Sequence, residues 1–389
     1  MAYRPSSDRI LFFTAGFLTI FGLVMVYSAS SVVASSQHGT SSYFFLRQLL
    51  YAGVGFVFLV LMMNVDYHLW QKPKAIGAML LIWGERKVLG DFAARYGPNR
   101  VGGRWGILQL GADAVKFFTK EDIIPDGVDK AVYVWAPIVA SMGVMLVAAA
   151  IPFGALYIDG KEYPLVVVNM DISAFYVEAA LCLMTIAVFM AGYSSNNKYS
   201  MLGAFRGIAR MIAYEVPMGI CVIAVAVMAH SLNLVEIVQS QTLWYAFAQP
   251  LGFVIFVIAL ITDLGRIPFD QSEAEEEIIS GYNTEYSGIR FGLLYFQEYN
   301  NALLGAILMV LLFLGGWNGP IIPLPILDII SPMIWMFMKV IIVLWFFIWV
   351  RSSLFRLRID QVTDLGWKWM LPLSIANLAW AVFIGSYFA

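Results

Sequence analysis

The sequence predicts an all-α protein, a polytopic bundle of membrane-spanning helices. Of its 389 residues, 60% are hydrophobic and only 13% are charged, far outside the composition of soluble globular proteins. The apolar residues gather into long runs, and about 20 apolar residues suffice to cross the hydrocarbon core as a helix. Lysine and arginine collect on alternate connecting segments, as they do in multi-pass proteins.

Nine apolar runs are long enough, or nearly so, to span a bilayer. They are 10–33, 49–65, 131–151, 172–193, 211–229, 249–262, 299–316, 333–350 and 369–388. A further apolar segment, 75–83, is nine residues long, and nine helical residues rise only ~14 Å, about half the hydrocarbon thickness. We expect about nine spanning helices and a short apolar segment that does not span by itself.

The basic residues predict the orientation. They concentrate on one set of connecting segments, 84–130, 194–210, 263–298 and 351–368. The segments between these hold a single basic residue, Lys161, and are 152–171, 230–248 and 317–332. By the positive-inside rule the basic side is cytoplasmic. We therefore expect the amino end in the cytoplasm and the carboxyl end on the opposite side of the membrane.

Composition also excludes several classes of function. The net charge is −2, so the chain carries no basic footprint for nucleic acid. Cys182 and Cys221, its two cysteines, both lie inside apolar runs, which excludes a disulfide framework and an iron–sulfur ligand set. The three histidines have no partners at metal-binding spacing. Any redox centre must come from another subunit, and we expect no metal site in this chain.

The stretch 262–290 carries a large share of the acidic residues. Its charged residues are Asp263, Arg266, Asp270, Glu273, Glu275, Glu276, Glu277, Glu285 and Arg290. Carboxylates packed this closely titrate together, and some of their pKa values rise toward neutrality. Such a group of acids is able to hold and release protons beside a membrane. The alternative is a solvated acidic connection without further function.

Two other places in the sequence put charge next to apolar runs. If 204–229 is one helix, Arg206, Arg210 and Glu215 form a polar stripe near its cytoplasmic end, where Glu215 either pairs with an arginine or relays protons. Pro217 interrupts the hydrogen-bond ladder just beyond. Glu178 stands alone in the preceding run and is either functional or faces a neighbouring helix. Asp113, Lys116 and Lys120 lie three and four positions apart and favour an amphipathic surface helix.

Residues 1–74 contain three short sequence words in order, GLVMVYSASS at 22–31, RQLL at 47–50 and VDY at 65–67. These words resemble the first two helices of the SEDS family, the glycosyltransferases that polymerise lipid-linked peptidoglycan precursors. Nothing later in the chain resembles the long catalytic loop of that family. We expect 1–74 to be a transmembrane hairpin that anchors the chain, joined to a separate membrane domain at 75–389.

From about residue 76 to the end, a different set of words follows. They are ERK at 85–87, GPNRVG at 97–102, LGA at 202–204, YEVP at 214–217, PFD at 268–270, EYSG at 285–288, FLGGW at 313–317 and FIWVR at 347–351. Several specific words in order make the match strong. They resemble the H subunit of bacterial NADH–quinone oxidoreductase, respiratory complex I.

The resemblance implies a membrane subunit that forms the quinone chamber and couples quinone reduction to proton translocation. It assigns Arg266, Asp270, Glu273, Glu275 and Glu285 to the chamber and its coupling. It assigns Arg206 and Glu215 to the membrane proton path, and Arg86, Arg95 and Arg100 to the cytoplasmic loop that docks partners. Quinone is the substrate. NADH, flavin and iron–sulfur clusters bind only to soluble partner subunits, antiporter-like membrane subunits pump, and the chain alone catalyses nothing.

The sequence departs from the family pattern at several positions. Arg210 stands where the family usually has Gln, Ala213 where it has Ser, and Gly265 where it has Asn. Two alternative functions stay open at this point. One is an anchor subunit of a membrane-bound hydrogenase or formate-lyase complex, and the other is a fragment of a peptidoglycan glycosyltransferase.

Overall fold

The fold is taken from a computed structural model that describes residues 77–106, 108–158, 161–320 and 327–388. Nearly all of the described secondary structure is helical, which confirms the predicted fold class. The predicted spans 10–33 and 49–65, and with them the hairpin 1–74, lie outside the described residues.

Thirteen α-helices form in the described part of the chain. They are α1 (Gly77–Phe92), α2 (Gln109–Thr119), α3 (Lys130–Ala150), α4 (Ser173–Ser194), α5 (Lys198–Ala229), α6 (Leu234–Ser240), α7 (Tyr245–Ala248), α8 (Pro250–Asp263), α9 (Glu275–Ile278), α10 (Gly288–Phe313), α11 (Leu327–Ser353), α12 (Ile359–Asp364) and α13 (Leu371–Phe388). A π-helical turn, Leu365–Met370, joins α12 to α13. Two strands, β1 (Ala155–Ile158) and β2 (Lys161–Pro164), pair antiparallel after α3, and β1 contacts α11.

Six of the described helical segments are long and apolar enough to cross a membrane. They are α3, α4, α5, α10, the main part of α11, and the continuous stretch Ile359–Gly385. Helix α3 shows how the sequence builds them. The Asp129 carboxylate accepts hydrogen bonds from the first-turn amides of Ala131 and Val132, and the 21-residue helix that follows contains an 18-residue window of mean hydropathy 2.0. The chain is therefore a multi-pass membrane protein, but the predicted count of about nine spans is not confirmed.

Helix α8 is apolar but short. Its 14 residues rise only ~21 Å, less than the ~30 Å hydrocarbon thickness. The chain continues from Leu264 to Ser287 with little regular structure, yet most of this segment is buried, including Phe269 and Tyr282. Irregular backbone at membrane depth is tolerated only when it is enclosed by protein. A short helix followed by an enclosed segment meets that condition.

Several helix bounds differ from the predicted ones. Helix α5 confirms a single helix across 204–229 and continues through Pro217. Helix α10 begins at Gly288, so the prediction of a connecting segment up to 298 was wrong for its last eleven residues. The polar residues Gln297 and Glu298 hid this helix from a search for apolar runs, because they face other protein groups rather than lipid. The predicted loop 351–368 likewise contains α12.

Two cores hold the described bundle together. The larger is built on α4, α5, α8 and α10, and its largest fully buried rings are those of Tyr214, Phe256, Phe313 and Trp317. The smaller core joins α3 to residues 264–287, which we call the acidic segment. There the rings of Tyr133 and Tyr286 stack with centroids 4.2 Å apart. Helix α2 contains Asp113 and Lys116, as predicted for an amphipathic helix.

Candidate functional site

A large apolar cleft lies between α1, α10 and α11. Its volume is about 720 Å³, and every residue that lines it is apolar or glycine except Glu85 of α1. Leu303 and Ile307 of α10 form one wall, and Val340 and Leu344 of α11 form another. The cleft has the size and the apolar lining of a site for a small hydrophobic molecule.

Glu85 joins this cleft to a buried ionic cluster. Its Oε1 accepts hydrogen bonds from Arg266 at 2.7 Å and from Arg351 at 2.5 Å. Arg266 also contacts Glu298 through Nε at 3.3 Å, and its guanidinium lies 4.8 Å from the centre of the Tyr299 ring. These groups surround a cavity of about 40 Å³, which shares Glu85, Leu344 and Ile348 with the cleft. The apolar cleft therefore borders directly on fixed hydrogen-bond donors.

Arg266 is the centre of this cluster, with only 6% of its surface exposed. Burial disfavours its charge, but Glu298 and then Glu85 outweigh this effect and raise the pKa of Arg266 above its ordinary value. The guanidinium is therefore a permanent positive charge in an apolar setting, where its field is strong.

Glu273 lies on the other side of Glu298. Asn283 donates a hydrogen bond from Nδ2 to Glu273 Oε1. Burial, followed by the repulsion of Glu298, raises the pKa of Glu273 well above its usual range, and a hydrogen bond from Tyr282 opposes the rise. At neutral pH the fold therefore favours a protonated Glu273, which is a proton donor ready for use.

A second small cavity connects these acids to the membrane helices. We call it the polar cavity. It has a volume of about 40 Å³, and its polar lining comes from Thr185, Arg210, Asp263, Ser272, Glu273, Tyr282, Gln297, Glu298 and Asn301. Two of these carboxylates belong to the acidic segment and α10, whereas Asp263 ends α8. The polar cavity thus brings loop and membrane carboxylates to one enclosed space.

Further into the bundle, Glu178 of α4 and Glu215 of α5 face each other. Glu178 is 9% exposed, and neither of its carboxylate oxygens has a hydrogen-bond partner among the described residues. One carboxylate oxygen of Glu215 also has no hydrogen-bond partner among the described residues. Glu215 interacts electrostatically with Asp263 and with Glu178. Cys182 lies beside both acids, and its Sγ donates a hydrogen bond to the backbone carbonyl of Glu178 at 3.3 Å. Acids in such a place are uncommon unless they serve a function.

The other chamber residues predicted from the sequence hold the acidic segment in place. Asp270 pairs with Arg356 at 3.4 Å. Glu285 accepts a hydrogen bond from Asn197 at 2.7 Å. Glu275 belongs to α9, but its side chain lies outside the described part of the structure.

Of the predicted arginines other than Arg266, two make defined contacts. Arg206 pairs with Glu277 of α9 and not with Glu215. Arg86 pairs with Asp113 of α2 at 2.6 Å and donates to the Tyr295 hydroxyl at 3.4 Å. The Tyr295 hydroxyl in turn lies 2.9 Å from that of Tyr299 beside Arg266. Arg95 and Arg100 are exposed on the segment between α1 and α2.

Three central residues were not singled out from the sequence: Glu85, Glu298 and Arg351. Glu85 and Arg351 stood only as letters in family words, and Glu298 fell just outside an apolar run. The available signal was a charged residue at the edge of an apolar run, which marks the point where a spanning helix meets the surface.

Comparison with known proteins gives two family matches. The model described as NADH dehydrogenase matches residues 72–382, and the model described as cell cycle protein matches residues 8–83. The H subunit of F(420)H(2) dehydrogenase from Methanosarcina acetivorans is 52% identical over 315 residues, 80% of this chain and 90% of that protein. The H subunit of NADH-quinone oxidoreductase from Dehalococcoides mccartyi is 45% identical over 308 residues, 79% and 82% of the two chains. The Bacillus cytotoxicus protein of the same name is 44% identical over 298 residues, 76% and 86%.

Proposed function

The chain belongs to the NADH dehydrogenase family of complex I-type membrane subunits, and we propose that it forms the quinone chamber and couples quinone reduction to proton translocation. The family matches confirm both resemblances predicted from the sequence. They also establish the coarser role, a membrane subunit of a multi-subunit oxidoreductase complex. The chamber, its residues and the proton path are proposals.

The observation that carries the proposal is the apolar cleft that borders on a cationic cluster. A quinone has an apolar tail and a head with two carbonyl oxygens, both hydrogen-bond acceptors. The cleft between α1, α10 and α11 suits the tail. Arg266, Arg351 and Tyr299 supply N–H and O–H donors beside Glu85 for the head.

Reduction of the bound quinone takes up two electrons and two protons and yields the quinol. The electrons come from iron–sulfur clusters in soluble partner subunits, where NADH and flavin also bind. Arg266 stabilises negative charge that develops on the quinone oxygens before protonation. Glu273, which the fold keeps protonated, supplies a proton, and Glu298 lies between Glu273 and Arg266 to relay it.

The coupling path leads from the acidic segment into the bundle. Glu273 and Glu298 reach the polar cavity, Asp263 stands at its inner wall, and Glu215 and Glu178 follow. Proton uptake at the quinone changes the charge of this series and passes the disturbance to antiporter-like membrane subunits that pump.

The remaining assigned residues fix this machinery in place. Asp270 and Glu285 tie the acidic segment to Arg356 and Asn197, and Arg206 ties it to α5 through Glu277. Glu275 belongs to the same segment. Arg86 joins α2 to the cluster, and the exposed Arg95 and Arg100 dock a soluble partner.

The comparisons favour a second electron donor besides NADH. Relatives named as H subunits of F(420)H(2) dehydrogenase are 51–52% identical to this chain, against 43–46% for the first relatives named as H subunits of NADH-quinone oxidoreductase. Because the donor binds to a partner subunit, the proposed chamber is compatible with F(420)H(2) as the donor in place of NADH.

The chamber assignment is tested by a substitution that fills the cleft with a larger side chain. In membranes of a strain deleted for its own H subunit and supplied with this chain, Leu344→Trp puts an indole into the cleft. We expect the KM for a long-tailed quinone to rise at least tenfold. Leu373→Trp, the same change on an exposed face of α13 away from the cleft, is the matched control and leaves the KM unchanged. Equal KM values for Leu344→Trp and the unaltered chain overturn the chamber assignment.

A further inference from the structure

Arg210 and Gly265 meet in the structure. Arg210 lies on α5, and Gly265 follows the end of α8 with φ +65°. A Cβ atom at position 265 would lie 3.2 Å from Arg210 Nη1 and 3.4 Å from Nη2. The guanidinium therefore occupies the space that a side chain at 265 would need, and a larger residue there would have to displace it.

Arg210 is buried, with 6% of its surface exposed. Its Nη1 donates a 3.0 Å hydrogen bond to the carbonyl of Phe269. Two backbone hydrogen bonds close the successive turns 262–265 and 266–269. The Gly265 N–H donates to the Thr262 carbonyl at 3.0 Å, and the Phe269 N–H donates to the Arg266 carbonyl at 2.8 Å. The arginine thus holds the backbone from which Arg266 projects. The Nε atom of Arg210 has no hydrogen-bond partner among the described residues.

The titratable groups that face Arg210 are three acids and a tyrosine. Arg210 interacts first with Asp263 and then with Asp270, Tyr282 and Glu273. No carboxylate oxygen of the described residues lies within 4.0 Å of the guanidinium, so the interaction with Asp263 acts across the polar cavity. A polar cavity of about 40 Å³ is large enough to hold water that bridges such groups.

We propose that Arg210 is a positioning residue, a fixed positive charge that stabilises ionised Asp263 at the entrance of the membrane path, and that Gly265 makes room for it. The inference rests on the proposed function. Arginine keeps its proton under all physiological conditions, so it does not relay protons itself. Asp263, Glu215 and Glu178 form a series of buried acids, and ionising the first of them requires a nearby positive charge.

The test compares four variants in the same complemented membranes: Arg210→Gln, Arg210→Lys, Gly265→Asn, and the double variant Arg210→Gln with Gly265→Asn. The readouts are the amount of assembled complex and the pH profile of quinone-dependent activity. We expect Arg210→Gln to move the acid limb of the profile up by about one pH unit, because the loss of a nearby positive charge makes a carboxylate harder to ionise. Arg210→Lys keeps the charge and leaves the limb in place.

Gly265→Asn tests whether a side chain at position 265 competes with the Arg210 guanidinium for the same space. We expect it to lower the amount of assembled complex at least threefold, and the double variant to restore assembly while keeping the displaced acid limb. If Arg210→Gln alone does not assemble, the double variant reports the limb. An acid limb that stays in place in the assembled Arg210→Gln or double variant overturns the charge role, and a double variant no better assembled than Gly265→Asn overturns the shared space.

The inference and the proposed function fail in different ways. Activity that is lost in Glu215→Gln while the acid limb of Arg210→Gln stays in place removes this inference only. Full proton-coupled activity in Glu215→Gln, together with an unchanged KM in Leu344→Trp, removes the proposed function itself.

Discussion

At the scale of single residues, Glu273 shows how the fold turns an ordinary acid into a proton store. Burial and then Glu298 raise its pKa to about 8, from an ordinary value of 4.5. A raised folded-state pKa means that the protonated form stabilises the fold. This contribution is complete below about pH 4.5 and is lost as the pH rises through about 8.

This shift predicts the alkaline stability of the complex. We expect Glu273→Gln, which mimics the protonated acid, to remove part of the loss of thermal stability between about pH 7 and about pH 9. Glu276→Gln is the control, because that side chain is 89% exposed. The measurement is the melting temperature of the solubilised complex against pH. The same alkaline decline in Glu273→Gln and in the unaltered chain would contradict the prediction.

Sequence reasoning pointed to candidate site residues where charges are dense and where family words stand, and their roles remain predictions. The stretch 262–290 supplied Arg266, Asp270 and Glu273 because its acids crowd together in an otherwise apolar chain. The partners of Arg266 were not found in this way. Glu85 stands 181 positions before it, and nothing in a linear pattern says that the two side chains meet at 2.7 Å. Such a pair emerges only from the packing of α1 against α10 and α11.

At the scale of elements, the acidic segment depends on one glycine turn. Gly281 has φ +52°, and a Cβ atom there would lie 1.8 Å from the carbonyl oxygen of Ser272. The same turn places Tyr282 and Asn283 against Glu273. No side chain fits at 281 unless the backbone moves.

We therefore expect Gly281→Ala to disorder the acidic segment and reduce quinone-dependent activity at least tenfold, with the helices still inserted in the membrane. Gly111→Ala, in α2, is the matched control, because nothing lies within 4 Å of its added Cβ and alanine favours a helix over glycine by about 1 kcal/mol. Limited proteolysis of membrane vesicles measures the order of the segment. Equal protection in the two variants would refute the role of this turn.

Helix bounds were predictable where apolar residues run up to a clear stop. The predicted spans 131–151 and 172–193 match α3 and α4 within one residue at each end. The start of α10 was missed by eleven residues because its first turns are amphipathic and bury polar groups against the acidic segment. A search for apolar runs detects contact with lipid, and these turns contact protein instead.

At the scale of the whole molecule, the described bundle combines full-length spans with one that stops short. Helix α8 ends at Asp263, and the chain then passes through enclosed irregular backbone before α10 begins. This arrangement sets a carboxylate, the polar cavity and Arg266 next to the end of the short helix, in a segment whose irregular backbone is enclosed by protein. The site therefore forms where one apolar helix of the bundle ends early.

The orientation of the molecule is the last prediction. The basic residues put the acidic segment in the cytoplasm and the loop 230–248 in the periplasm. The native thiols, Cys182 and Cys221, lie in α4 and α5, where a polar reagent has little access. With both replaced by alanine, we expect Thr242→Cys to react in intact cells with a membrane-impermeant maleimide, and Glu276→Cys to react only after the cells are opened. Both introduced positions are exposed, so accessibility within the protein does not limit either reaction. The reverse pattern would invert the topology and put the proposed chamber on the side of the membrane opposite to its soluble electron donors.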